Sequence, residues 1–147
     1  MDDQKIYRII DANLNRSREG LRVCEDIARF ALNSKTLTKE LKSIRHSIYD
    51  IVKSSAMRLE ALGASRDSDR DVLRRSGFES EMKRRSLGDI FAANIERTKE
   101  SLRVLEELFK LIDNKSSSRF CGLRFKAYAI EKKAALSLRT AKGGEAI

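Results

Sequence analysis

Asn13, Arg16 and Glu19 recur as Asn94, Arg97 and Glu100, at an offset of 81 that also relates Leu21 to Leu102, Arg22 to Arg103, Val23 to Val104 and Glu25 to Glu106. An amide, a guanidinium and a carboxylate three residues apart share one side of a helix. The guanidinium is a planar, permanently charged fork whose N–H groups match the oxygens of a phosphate. A set spelled twice therefore suits a phosphorylated ligand held from two directions. On a helical wheel, Ile9, Ile10, Leu21, Cys24, Ile27 and Ala28 form an apolar stripe with Asn13 inside it, Arg16 at its edge and Glu19 just outside. The second wheel repeats this arrangement, with Ser101 where the first has Gly20. Arg45 and Arg124 flank the stripes of two further helices. The expectation is that Arg16, Arg45, Arg97 and Arg124 crowd inward, a cluster too repulsive to bury without an anion. Glu19 and Glu100 would neutralise part of it. A self-satisfied polar network that fixes helix register is the plainer alternative. Arg22 with Glu25 or Asp26, and Arg103 with Glu106 or Glu107, read as surface ion pairs of little weight.

A second candidate is the stretch SRDSDRD, residues 65–71. Arg66 and Arg70 could grip phosphate, and Asp67, Asp69 and Asp71 offer hard oxygen ligands for Mg²⁺. The stretch lacks the mid-loop glycine and closing glutamate of a calcium loop, and a solvated linker is the alternative. No GxxxxGK[ST] or GxGxxG occurs, so a nucleotide would be held without the common phosphate cradles. His46 is the one histidine, which rules out a multi-histidine metal site. Beside Arg45 it reads as a hydrogen-bonding wall residue.

The elements that must position these groups read as helices. Proline is absent and Ala, Leu, Lys, Arg and Glu dominate. The first helix is predicted from Gln4 to Leu32, capped by Asp2 or Asp3, with NSK at 33–35 as its break. The second runs from a Thr38 cap to Leu62, ended by Gly63. A charged loop over 64–78 and a short helical piece over 79–85 follow. Ser86 and Asp89 form a capping box for a third helix ending near Asp113. NKSSS is the next break, and a fourth helix spans about 118–142, closed by Gly143 and Gly144. Ile44, Arg45, Tyr49 and Ile51 return as Leu123, Arg124, Tyr128 and Ile130 at an offset of 79. The expected fold is all-α: four long helices forming two repeated hairpins (about 3–63 and 86–142, joined by 64–85) in one elongated bundle with a pseudo-twofold.

Of 147 residues, 31 are basic and 22 acidic, a net charge of +9 that suits an anionic partner. Eighteen of the basic residues are arginine. Aromatics are 6%, none interleaved with a basic run, which argues against a single-stranded nucleic acid. The apolar runs are too short for a membrane span, and MDDQKIYRII is not a signal peptide pattern. Cys24 and Cys121 read as reduced core thiols of a cytoplasmic protein. Oligomeric state is open, a homodimer included.

RIIDANLNRSREGLRVCEDIARF (8–30), LKSIRH (41–46), SRDSDRDV (65–72), EMKRRSL (81–87), ANIERTKESLRVLEELFKL (93–111) and LRFKAYAIE (123–131) together resemble a small bacterial family. It is the hydroxymethylpyrimidine-phosphate kinase domain often fused ahead of thiamin-phosphate synthase. The resemblance implies Mg²⁺- and ATP-dependent phosphorylation of 4-amino-5-hydroxymethyl-2-methylpyrimidine phosphate to the diphosphate, in thiamin biosynthesis, with a functional link to the synthase. The arginine pattern and the resemblance together give the expectation that arginines among Arg16, Arg45, Arg66, Arg84, Arg97 and Arg124 clamp the two phosphorylated substrates. Asn13 or Asn94 would read the pyrimidine edge, and Glu19 or Glu100 would orient arginines or help hold Mg²⁺. The family's loop reads R-D-x-x-x-D-V-G with a Thr-Glu pair after it, whereas here Leu73 stands in the glycine's place, followed by Arg74 and Arg75. The rival reading is a non-enzymatic basic helical module that binds nucleic acid or a protein partner.

Overall fold

The computed structural model describes residues 2–72 and 83–142. Its helices are α1 (Asp3–Asp26, extended by a π-helical turn, Ile27–Ala31), α2 (Lys35–Ser54), α3 (Leu59–Ser65), α4 (Leu87–Phe109) and α5 (Asn114–Lys142), with a 3₁₀ turn at Ser68–Arg70. The described residues contain no strand. Four long helices were expected; the fifth, α3, is a short segment that docks on α1. Among the described residues no helix is long and apolar enough to cross a membrane.

Each long helix buries one stripe. Ile10, Leu14, Leu21 and Cys24 of α1 meet Phe91, Ile95, Leu102 and Leu105 of α4, and α2 contributes Leu41, Ile44, Ile48 and Ile51. From α5 come Phe120, Leu123, Ala127 and Ile130. Removing each larger side chain from water is worth about 1.5–3 kcal/mol, which holds the helices together. α1 packs on α4 and α2, and α5 packs on α4 and α2, so the four helices surround one apolar core. Gly20 lets α1 and α4 close up. A methyl group there would lie 2.6 Å from Thr98 Oγ1 and 2.9 Å from the Asn94 carbonyl oxygen. Gly20 thus faces Asn94 and Thr98, while Asn13 shares a cleft with Ser101 and Val104, so the two helices run in opposite directions.

Local chemistry moved several expected boundaries. α2 is capped by Ser34, whose Oγ accepts the Leu37 N–H at 3.2 Å; Thr38 instead donates its hydroxyl to the Ser34 carbonyl. Asn33 takes the left-handed region (φ 50°) that Asn tolerates, and this stops the preceding turn. α2 ends at Ser54 rather than Leu62, because Ser54 and Ser55 return hydrogen bonds to the Ile51 and Val52 carbonyls and Ser55 turns extended. Gly63 therefore lies inside α3 rather than closing a helix. NKSSS does not break a helix but begins α5, because Asp113 Oδ1 accepts the Ser116 N–H at 2.6 Å. Ser34 and Asp113 stand at the repeat's offset of 79 and do the same work. The Ser86–Asp89 cap forms, with Ser86 Oγ accepting the Asp89 N–H at 3.1 Å. Lys83 to Arg85 are not helical, and the rest of the short helix expected over 79–85 lies outside the described residues. So do Leu73, Arg74, Arg75 and the closing Gly143 and Gly144.

Candidate active site

A cleft of about 690 Å³ opens along the α1–α4 contact. Asn13 and Arg16 line it from α1; Arg97, Glu100, Ser101 and Val104 line it from α4; and Arg84 enters from the segment before α4. Five of the expected site residues thus share one space: Asn13, Arg16, Arg84, Arg97 and Glu100. Asn13 is 3% exposed. Its Nδ2 donates to the Ile9 carbonyl at 2.8 Å, and its Oδ1 accepts from the Arg16 guanidinium at 3.5 Å. Asn94 makes the matching bond to the Ile90 carbonyl, also 2.8 Å, but does not line the cleft. Ser17 and Thr98 each donate to the carbonyl of their repeat's asparagine at 2.9 Å. The asparagines are thereby bound to backbone, and Asn13 is placed to steer Arg16 rather than to offer its whole amide to a ligand.

The inward cluster of four arginines does not form. Arg16 and Arg97 are exposed on the cleft, and neither has a carboxylate partner among the described residues. Arg45 and Arg124 are turned away from it. Arg45 meets buried Glu25 with two hydrogen bonds, 2.9 and 3.3 Å, and Arg124 meets buried Glu106 at 3.0 Å. The reason is electrostatic: two carboxylates nearly excluded from water need cations, and the flanking helices supply them. The Glu106 hydrogen bond first, and its charge, hold Arg124 protonated beyond the ordinary arginine value against the cost of burial. Glu25 and Glu106 were expected as surface partners of Arg22 and Arg103. Those contacts exist at 3.5 and 3.6 Å but are secondary, whereas the expected surface pair of Arg103 with Glu107 forms at 3.1 Å. Their place in the repeat beside Arg45 and Arg124 was the signal that could have found them.

Two flanking pockets adjoin these pairs. One, about 660 Å³, is lined by Glu19, Arg22, Arg45, His46, Tyr49 and Asp50, with Arg18 beside them. Glu19 therefore faces this pocket and not the central cleft. The other, about 400 Å³, is lined by Glu96, Lys99, Glu100, Arg103, Arg124 and Tyr128. Lys99, only 6% exposed, bridges Glu96 at 2.6 Å and Glu131 at 2.8 Å, with its ammonium 4.4 Å from the centre of the Tyr128 ring. Burial pulls its pKa down, but the hydrogen bonds to Glu131 and Glu96 outweigh this and hold it above the ordinary lysine value.

The SRDSDRD segment lies elsewhere. Arg66 forms a two-pronged bond with Asp11 of α1, 2.8 and 2.9 Å, which pins the end of α3 to α1. Asp67 and Asp71 border a separate pocket of about 200 Å³ with Arg8 and Asp11, and Asp67 pairs with Arg70 at 3.3 Å. Arg66, Asp67 and Asp71 do not line the arginine cleft. Among the described residues no group of three carboxylate, histidine or cysteine side chains is placed to hold a metal ion. Two carboxylates line the cleft: Glu96, which pairs with Lys99, and Glu100, which has no cation partner among the described residues. Cys24 is fully buried, and burial pushes its thiol up to about 12; Cys121 is partly exposed and so is not a core thiol.

A protein named thiamine-phosphate synthase from Thermosynechococcus vestitus is 36% identical over 131 residues, covering 89% of this chain and 36% of that protein. Proteins of the same name from Nostoc sp. and Synechocystis sp. are 38% and 39% identical over 128 and 126 residues, 87% and 86% of this chain and 35% of each relative. The chain thus spans about a third of the length of the curated relatives it matches. No solved structure matches it. The model of the ThiD2 family matches residues 8–133, which include both copies of the polar repeat and every residue of the arginine cleft, and the chain belongs to the ThiD2 family.

Proposed function

We propose that the chain is a phosphotransferase of thiamin biosynthesis that converts 4-amino-5-hydroxymethyl-2-methylpyrimidine phosphate to the diphosphate with Mg²⁺ and ATP. The observation that carries this reading is that Arg16 and Arg97, equivalent positions of a duplicated hairpin, line one cleft without carboxylate partners among the described residues. The cleft's volume lies in the range of small-molecule sites, about 300–1,000 Å³. The relatives' name supports thiamin biosynthesis as the setting.

The nucleophile is an oxygen of the substrate's own phosphate. A phosphate monoester is largely dianionic near neutral pH, so no general base has to remove a proton. The new bond joins that oxygen to the γ-phosphorus, the bond to the β–γ bridging oxygen breaks, and ADP leaves with the electron pair. What the protein must supply is alignment and positive charge. Arg16 and Arg97 hold the two phosphates from opposite helices, Arg84 adds charge from the entrance, and Asn13 steers Arg16. Glu100 would supply the protein's oxygen to Mg²⁺, whose chemistry is to neutralise charge on the transferred group.

The test is a reaction of the pure protein with Mg²⁺, ATP and the pyrimidine monophosphate, read by chromatography for the diphosphate. Diphosphate should form, and Arg16→Ala or Arg97→Ala should cut turnover about a hundredfold or more, the scale of losing one charge contact to the transition state. Absence of product, or unchanged turnover in both variants, would refute the reading.

A further inference from the structure

We infer that the pocket between α1 and α2, walled by His46 and Tyr49, takes the nucleoside end of the triphosphate substrate, and that the equivalent pocket between α4 and α5 does not. This rests on the phosphotransferase reading and names the nucleotide subsite within it. Among the described residues that line the central cleft none is aromatic, so none of them offers a base a ring to stack on. The aromatic faces lie in the flanks: His46 and Tyr49 on α2, and at the same repeat positions Phe125 and Tyr128 on α5.

In the α4–α5 flank each ring, though 46–60% exposed, already has a cation beside it. The Arg124 guanidinium sits 5.0 Å from the Phe125 ring centre and the Lys99 ammonium 4.4 Å from that of Tyr128; the two rings also pack at 6.5 Å. Lys99 is held there by Glu96 and Glu131. In the α1–α2 flank, no cation lies over Tyr49 among the described residues. Tyr49 is 52% exposed at a pocket of about 660 Å³, against about 400 Å³ for its counterpart. The residue at the Lys99 position is Arg18, whose guanidinium turns back to the Leu14 carbonyl and Asn15 instead of covering the ring.

The remaining lining groups suit a nucleotide. Glu19 and Asp50 can accept hydrogen bonds from ribose hydroxyls, and the exposed Arg22 can meet phosphate. Arg16, Glu19 and Arg22 follow one another at three-residue steps, so Arg16 of the cleft and Arg22 of the pocket lie about 9 Å apart along α1. A ribose and triphosphate chain bridges that distance, with the γ-phosphate at the arginine cleft.

The experiment is calorimetric binding of AMP-PNP with Mg²⁺ to the whole chain, with inorganic tripolyphosphate as a second probe. Tyr49→Ala should weaken AMP-PNP about tenfold or more, on the scale of one stacked base, while Tyr49→Phe restores it. Tyr128→Ala should leave AMP-PNP within twofold, and tripolyphosphate should not respond to Tyr49→Ala. Unchanged AMP-PNP affinity in Tyr49→Ala, a larger loss in Tyr128→Ala, or no AMP-PNP binding would overturn the assignment. Tyr49-dependent binding without diphosphate formation would uphold the subsite and remove the kinase. Diphosphate formation with an ATP KM unmoved by Tyr49→Ala would do the reverse.

Discussion

The α1–α2 and α4–α5 halves share a polar frame and differ at the surface it presents. In both, an asparagine donates to the carbonyl four residues earlier at 2.8 Å, a buried glutamate holds an arginine of the neighbouring helix at 2.9–3.0 Å, and a cap three residues upstream starts the second helix. These bonds satisfy groups that the helix contacts take out of water, so each copy needs them. The aromatic positions carry no such obligation, and there the halves part: all are exposed, but Phe125 and Tyr128 each have a cation beside the ring and, among the described residues, Tyr49 has none. The frame of a duplicated unit is fixed by desolvation, and the residues outside the frame are where two half-sites become different.

The strongest way to break the comparison is at the arginines that meet across α1 and α4. If Arg16 and Arg97 act as one clamp, the double alanine variant should lose little more turnover than the worse single variant, because groups acting as a unit are not additive. Losses that multiply, measured by steady-state kinetics, would mean two independent roles.

Next come the buried pairs. Arg45→Ala and Arg124→Ala each strand a nearly buried carboxylate and should each lower stability by about 2 kcal/mol, read by urea unfolding. Near-equal losses would support the equivalence of the two halves. A loss in only one would show that the frame has diverged as well.

Gly20 is the sharper structural probe, because its repeat partner is Ser101. Alanine improves helix propensity by up to about 1 kcal/mol. Here, however, the methyl would press on the Asn94 carbonyl, a backbone atom that moves only with its helix. Gly20→Ala should therefore be net destabilising by about 1 kcal/mol, and Ser101→Gly less so. Thermal unfolding distinguishes them.

The smallest effect belongs to the caps. Burial raises the Asp113 pKa, but hydrogen bonds from Ser116 and Ala56 outweigh it and bring it below the ordinary aspartate value. A carboxylate depressed on folding contributes stability that is full above its unfolded pKa, near 4, and is lost as pH falls through the folded value. Asp113→Ala should cost about 1 kcal/mol at pH 7 and less at pH 3, whereas Ser34→Ala, which removes a neutral cap, should cost a similar amount at both. Urea midpoints at the two pH values provide the check.

Much of the architecture was legible because period and repeat are local signals. The apolar stripes, the Ser86 cap and the matched positions at offsets 81 and 79 appear in structure much as they read in sequence. The boundaries at Thr38, Leu62 and Ser118 were misplaced, because serine hydroxyls and Asp113 compete for the same backbone groups, and only the folded neighbours decide which one wins.

By itself the sequence determined an all-helical chain, the helix faces that must be buried, and the pairing of Arg16 with Arg97 as equivalent residues. Those follow from spacing along the chain and need no partner. Only the tertiary structure decided that α1 and α4 run antiparallel, which brings those two arginines to one cleft and sends Arg45 and Arg124 to Glu25 and Glu106 instead. A guanidinium takes whichever carboxylate loses most water nearby, and desolvation is a property of the packed molecule that no single helix carries.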